Sequence, residues 1–108
     1  MPDKDQPGSE PTEQESPKKC ILRVKGGTDC QRLAHAIAGV VARGDEEPTL
    51  EYIGAGACNQ AVKAVGIANS VLAIRGVYLS VVPVFQRRQL AGNDNTVAMQ
   101  LRGRLHQL

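Results

Sequence analysis

Aromatic residues are almost missing from this chain: there is no Trp, and Tyr52, Tyr78 and Phe85 are the whole set. A single-strand nucleic-acid reader that works by base stacking is disfavoured by that shortage, and the core must be built from Val, Ile, Leu and Ala. Cysteine is equally sparse. Cys20, Cys30 and Cys58 form no CxxC pair, and neither His35 nor His106 stands at metal-ligand spacing from them, so no metal site is expected. The odd, unpatterned cysteine set points to a reducing compartment. No apolar h-region opens the chain and no run of 18 apolar residues occurs in it, which argues against secretion and membrane spanning and for a cytoplasmic protein. No Ser-His-Asp set, paired carboxylate or HExxH pattern supports catalysis, so the chain reads as a non-enzyme with no cofactor.

What is present is one small domain's worth of chain, 108 residues with 42% apolar content. Its charge is unevenly spread. Residues 1–19 carry five acids against three bases, residues 20–59 are near balance, and from residue 60 onward six bases face Asp94 alone. A basic second half attracts polyanions, or serves only as a solubilising scatter of arginines.

Residues 1–19 are rich in Pro, Glu, Asp, Gln and Ser and bury too little to offset ordering entropy, so they read as a disordered acidic tail before a domain of residues 20–108. Cys20 to Lys25 reads as a strand stopped by Gly26-Gly27. Thr28 and Gln31 fit a capping box, and Leu33, Ala36, Ile37, Val40 and Val41 make one apolar helical stripe that Gly44 ends. A second strand is expected at Thr49 to Gly54 and a second helix at about Ala57 to Ala73. In that helix Ala57, Ala61, Ala64 and Ala68 form a small-residue stripe with Val62, Val65 and Leu72 beside it, while Asn59, Lys63, Gly66 and Ser70 face outward. Val77 to Phe85 is β-branched and holds Pro83, which suits an edge strand or a bulge. Gln86 to Asn95 reads as a polar connector with Gly92 to Asn95 as its turn. In Thr96 to Leu105, Val97, Met99, Leu101 and Leu105 alternate inward against Thr96, Ala98, Gln100, Arg102 and Arg104 outward. The order β-α-β-α-β-β predicts an α/β two-layer sandwich, two helices on a mixed four-stranded sheet.

The most informative stretch is Gly54-Ala55-Gly56-Ala57-Cys58-Asn59-Gln60-Ala61-Val62-Lys63. A glycine loop opening a helix brings backbone N–H groups and the positive end of the helix dipole to bear on an anion. Asn59 and Lys63, one turn apart, add an amide and an ammonium. The same glycines also serve a tight turn and close packing with no ligand at all.

From Gly54 to Ala68 the chain closely resembles the stage V sporulation protein S family, whose hallmark is this glycine–alanine loop followed by Asn-Gln-Ala-Val-Lys-Ala. Ala38-Gly39-Val40, Gly76-Val77 and Val82-Pro83-Val84-Phe85 extend the likeness over residues 20 to about 105. The resemblance implies an Alba-like fold, whose other members bind DNA or RNA, and a small regulator of sporulation that affects septation and coat assembly. Two departures stand out. Alba proteins place paired lysines in the first loop and arginines in the second, where this chain has Lys25-Gly26-Gly27 and Gly54-Ala55-Gly56. The hairpin, acidic in the sporulation family, here reads Gln86-Arg87-Arg88-Gln89.

Three readings follow. In the first, the protein binds nucleic acid, DNA or RNA, with Lys25, Lys63, Arg87 and Arg88 on phosphates and Gly26, Gly27, Gly54, Gly56 and Asn59 supplying amides. In the second, Gly54, Gly56, Asn59 and Lys63 hold a small phosphorylated ligand. In the third, the small-residue stripe or the edge strand Val77 to Phe85 docks another protein chain or a second copy in a homo-oligomer.

Overall fold

The computed structural model describes residues 18–44, 46–90 and 93–108. The acidic tail expected over residues 1–19 lies outside them, except that Lys18 and Lys19 already belong to the first strand. The elements are β1 (Lys18–Val24), α1 (Cys30–Ala42), β2 (Glu46–Tyr52), α2 (Ala55–Leu72), a 3-10 turn (Ala73–Arg75), β3 (Val77–Leu90) and β4 (Asn93–Gln107). The sheet order is β1-β2-β4-β3, with β1 parallel to β2 and the other two pairs antiparallel. This is the expected two-layer arrangement, two helices on a mixed four-stranded sheet.

The core forms where the apolar stripes of both helices meet one face of the sheet. Leu33, Ala34, Ile37 and Val41 of α1 join Ala57, Ala61, Ala64, Val65, Ala68 and Leu72 of α2 over Val24, Leu50, Tyr52, Leu79 and Leu101. The alanine stripe of α2 is buried throughout, which lets the helix axis approach closely. Two details differ from expectation. Ala36 is exposed while Ala34 is buried, and Val62 is exposed, because the alanines already fill the contact that larger side chains would occupy.

The helix caps also differ. Asp29, not Thr28, caps α1, its carboxylate accepting from the Gln31 and Arg32 amides at 2.9 and 3.4 Å. Thr28 instead closes the preceding turn, its hydroxyl accepting from Lys25 N at 2.8 Å and its own amide donating to Lys25 O at 3.0 Å. With two good cap formers in succession, the turn over Gly26-Gly27 takes the first and leaves Asp29 for the helix. Gly44 follows the end of α1 as expected, its amide donating to Val41 O at 3.0 Å.

Gln86 to Asn95 is not a connector. β3 runs on to Leu90 and β4 begins at Asn93, with Arg87 opposite Val97 and Arg88 opposite Thr96, and an irregularity between Arg88 and Leu90. Ala91 of the expected connector and Gly92, the first residue of its expected turn, lie outside the described residues. Polar side chains did not forecast a strand here because β2 ends at Tyr52, opposite Met99. Beyond that point the two strands have only each other, so neither face must be apolar.

β3 is an edge strand, as Pro83 suggested. Its outer rim is modified by α2. Asn69 Nδ2 donates to Leu79 O at 2.9 Å, and Leu79 N donates to Asn69 Oδ1 at 2.8 Å, so one side chain stands in for a neighbouring strand. Since N–H and C=O of alternate residues point to the same rim, Pro83 presents its missing donor there as well.

The face away from the helices is less open than its polar pattern implies. Thr49, Glu51 and Gln100 are only 3%, 7% and 6% exposed, and Ala98 is fully buried. Gln100 bridges an acid and a base: its Nε2 donates to Glu51 Oε1 at 2.9 Å and its Oε1 accepts from Arg102 Nε at 3.1 Å. Arg102 reaches on to Gln86 at 3.5 Å. The alternation of β4 is as expected, but Val97, predicted to face in, is exposed on the part of the strand beyond the helices, while Gln100, predicted to face out, is buried.

Candidate functional site

Parallel pairing of β1 with β2 puts their C-terminal ends side by side, so the loops that leave them are neighbours. Gly26 Cα lies 3.7 Å from where a Cβ on Gly56 would stand. Gln60, in the second turn of α2, donates from Nε2 to Thr28 O at 2.6 Å and ties the loops together. Lys25, Gly26, Gly27, Gly54 and Gly56 therefore share one end of the sheet, and all are exposed. Asn59 and Lys63 are exposed on α2 as it leaves that end. Because β4 is antiparallel to β2, the β3–β4 arm projects past the same end, carrying the backbone of Arg87 and Arg88 with it. Their side chains lie outside what the structure describes.

The two glycines of the signature do different jobs. Gly54 has φ 93° and ψ 161°, a region essentially closed to any residue with a Cβ. Gly56 is helical, and a methyl there would make only ordinary contact with Gly26. Gly54→Ala should therefore cost about 1–3 kcal/mol of stability, whereas Gly56→Ala should be neutral or slightly stabilising. Urea midpoints of the two variants check this, and equal losses would show that the loop conformation does not require Gly54. As N-cap of α2, Gly54 offers no side-chain acceptor, so the amides of the first turn have no side-chain cap, in contrast to α1.

Beneath the loop, Tyr52 is buried on the helix side at the end of β2. Burial, and after it the Cys58 side chain beside it, pushes its hydroxyl up from 10.0 to about 12. The folded state thus favours the neutral phenol. That contribution is fully present below pH 10 and is lost as pH rises from 10 through about 12. Between pH 9 and 11.5 the protein should lose roughly 2 kcal/mol that Tyr52→Phe does not lose, read from the difference between their urea midpoints.

Other chemistry is brought together that spacing did not reveal. Ser80 Oγ lies 2.7 Å from His106 Nε2, and the imidazole stacks on Tyr78 with centroids 4.8 Å apart. No sequence signal links residues 26 positions apart; only the β3–β4 register does. Cys20, Cys30 and Cys58 are free thiols, and no group of three His, Cys, Asp or Glu able to hold a metal occurs among the described residues. Among the described residues no helix is long and apolar enough to cross a membrane.

Fold and site together define a small two-layer α/β protein in which two glycine loops, a helix start without a side-chain cap and a hairpin arm share one end of a mixed sheet. The family model described as Stage V sporulation protein S (SpoVS) matches residues 20–103, from Cys20 in β1 to Gly103 in β4. The chain belongs to that family, whose name ties it to sporulation.

Proposed function

We propose that the protein is a cytoplasmic, non-enzymatic regulator related to sporulation that binds nucleic acid, DNA or RNA, through its glycine-loop end. Lys25, Lys63, Arg87 and Arg88 contact phosphates, while Gly26, Gly27, Gly54, Gly56 and Asn59 offer amides. The observation that carries this reading is the common end: both glycine loops, the uncapped start of α2 and the arm that bears two arginines rise from the same side of the sheet. A phosphate backbone is the ligand that meets such separated donors at once, since it repeats its charge along its length.

With about four phosphates neutralised, log K should fall against log salt with a slope of about −3.6 on duplex DNA. Lys63→Ala and Arg87→Ala should then weaken binding to a similar extent. Fluorescence anisotropy with labelled duplex DNA and RNA measures both, and the absence of any salt-sensitive association would overturn the reading.

A small phosphorylated ligand held by Gly54, Gly56, Asn59 and Lys63 is the second reading. It predicts a much larger loss from Lys63→Ala than from Arg87→Ala. The concavity at this end, about 270 Å³, works against it. It is lined by Arg23, Lys25, Gly26, Glu51 and Ile53 and draws on none of those four residues, and the carboxylate of Glu51 repels a phosphate.

A further inference from the structure

At the other end of the sheet, on the face without helices, Thr49, Val82, Val84, Arg102 and Arg104 line a second concavity of about 280 Å³. It is distant from the glycine loops, at the ends where β2 begins and β4 finishes. Arg102 is held in place by Gln100 and Gln86, and Arg104 is exposed, with no hydrogen bond or ion pair from its guanidinium to a described residue. Thr49 lines the concavity yet is 97% buried, and its hydroxyl has no hydrogen-bond partner among the described residues. Glu47 also lines it, but one carboxylate oxygen accepts the Leu105 amide at 3.3 Å. Val82 contributes an exposed apolar wall. The site offers two guanidinium groups, a buried hydroxyl and an apolar edge, which suits an extended acidic segment better than a free anion.

Such a segment starts next door. β1 begins at Lys18 with Lys19 opposite Glu47, so residues 1–17 leave the sheet at this end, two strands from β4. That is about 10 Å. Those residues hold Asp3, Asp5, Glu10, Glu13 and Glu15 against Lys4, a net −4, while the rest of the chain has twelve bases against six acids, a net +6. Glu15 is three residues from Lys18 and Glu13 is five, reaches of about 10 and 17 Å along an extended chain. Pro11, two residues from Glu13, can cover Val82 without losing a backbone donor. Tethering gives the segment a high local concentration at this site, whereas Lys25 lies at the far end of β1 and Lys63 on the helix side.

We propose that the acidic N-terminal segment, residues 1–17, docks in cis on the open face of the sheet, with Glu13 and Glu15 between Arg102 and Arg104 and against Thr49.

The test uses the full-length chain. In ¹H–¹⁵N NMR spectra, the triple substitution Glu10→Gln, Glu13→Gln and Glu15→Gln should shift the amides of Thr49, Val82, Val84, Arg102 and Arg104 more than any others in residues 18–108. Arg104→Gln should in turn shift the amides of Glu13 and Glu15. Both effects should shrink as salt is raised and stay the same on tenfold dilution. Shifts confined to residues 1–17, or concentrated at Lys25 and Lys63, overturn the proposal. So does dependence on protein concentration, which would assign the site to the segment of a second copy.

Discussion

Gly103→Ala is expected to destabilise the protein by about 3 kcal/mol, the largest effect of any single methyl added to a described glycine. A Cβ there would lie 2.3 Å from the carbonyl oxygen of Pro48 and 3.1 Å from Leu79 Cδ1. The nearer contact is backbone, so no rotamer change relieves it, and β2 would have to separate from β4. The junction is already weak. The β2–β4 ladder stops at Thr49 opposite Arg102, because Pro48 has no amide to donate across the strand, and the Glu47 carboxylate takes over by accepting from Leu105. For a domain of this size the loss corresponds to a fall in Tm of roughly 10–20 °C. Calorimetry on the wild type and the variant checks it, and a change below about 0.5 kcal/mol would mean that the two strands are not held as closely as the structure has them.

Asn69→Ala carries the second large effect, a loss of about 2–4 kcal/mol. The cost arises less from the bonds removed than from what they leave behind. Leu79 is 3% exposed, and without the carboxamide both its N–H and its C=O lose their partner at the rim of the sheet. Asn69→Asp serves as the control: it keeps an acceptor for the Leu79 amide but loses the donor for the carbonyl, so its loss should fall between those of the wild type and the alanine variant. Chemical denaturation gives both numbers. If alanine and aspartate behave alike, the two bonds do not act as separate contributions.

Such pairings explain where the sequence was legible and where it was not. The arrangement of strands and helices was readable because α2 repeats alanine at helical spacing and β4 alternates, and both patterns are local. The Gly54 to Ala68 signature was readable for the same reason, and it carried the family. The exchange of roles between Thr28 and Asp29 was not readable, since adjacent cap formers differ only in which one the turn claims first. Gln100 looked solvent-facing because its partners, Glu51 and Arg102, lie on the neighbouring strand and two positions along its own. The Asn69–Leu79 clamp, the Ser80–His106 pair and the Gln60–Thr28 bond all join residues that only the fold brings together. At the candidate site, position was foreseeable for Lys25, the glycines, Asn59 and Lys63. The arm that brings the backbone of Arg87 and Arg88 toward that end was hidden, because two strands that pair only with each other need not alternate in hydrophobicity.

The Asn69 clamp also sets a limit on symmetry. Sheets that extend from copy to copy need two usable edges on each molecule, one to give and one to receive, and such head-to-tail contacts have no built-in end. Here the β3 rim is occupied at Leu79 and lacks a donor at Pro83, so no strand can add continuously along the first half of that edge. Head-to-tail growth that uses this part of β3 is thereby obstructed, whereas a twofold contact between two β1 strands is not.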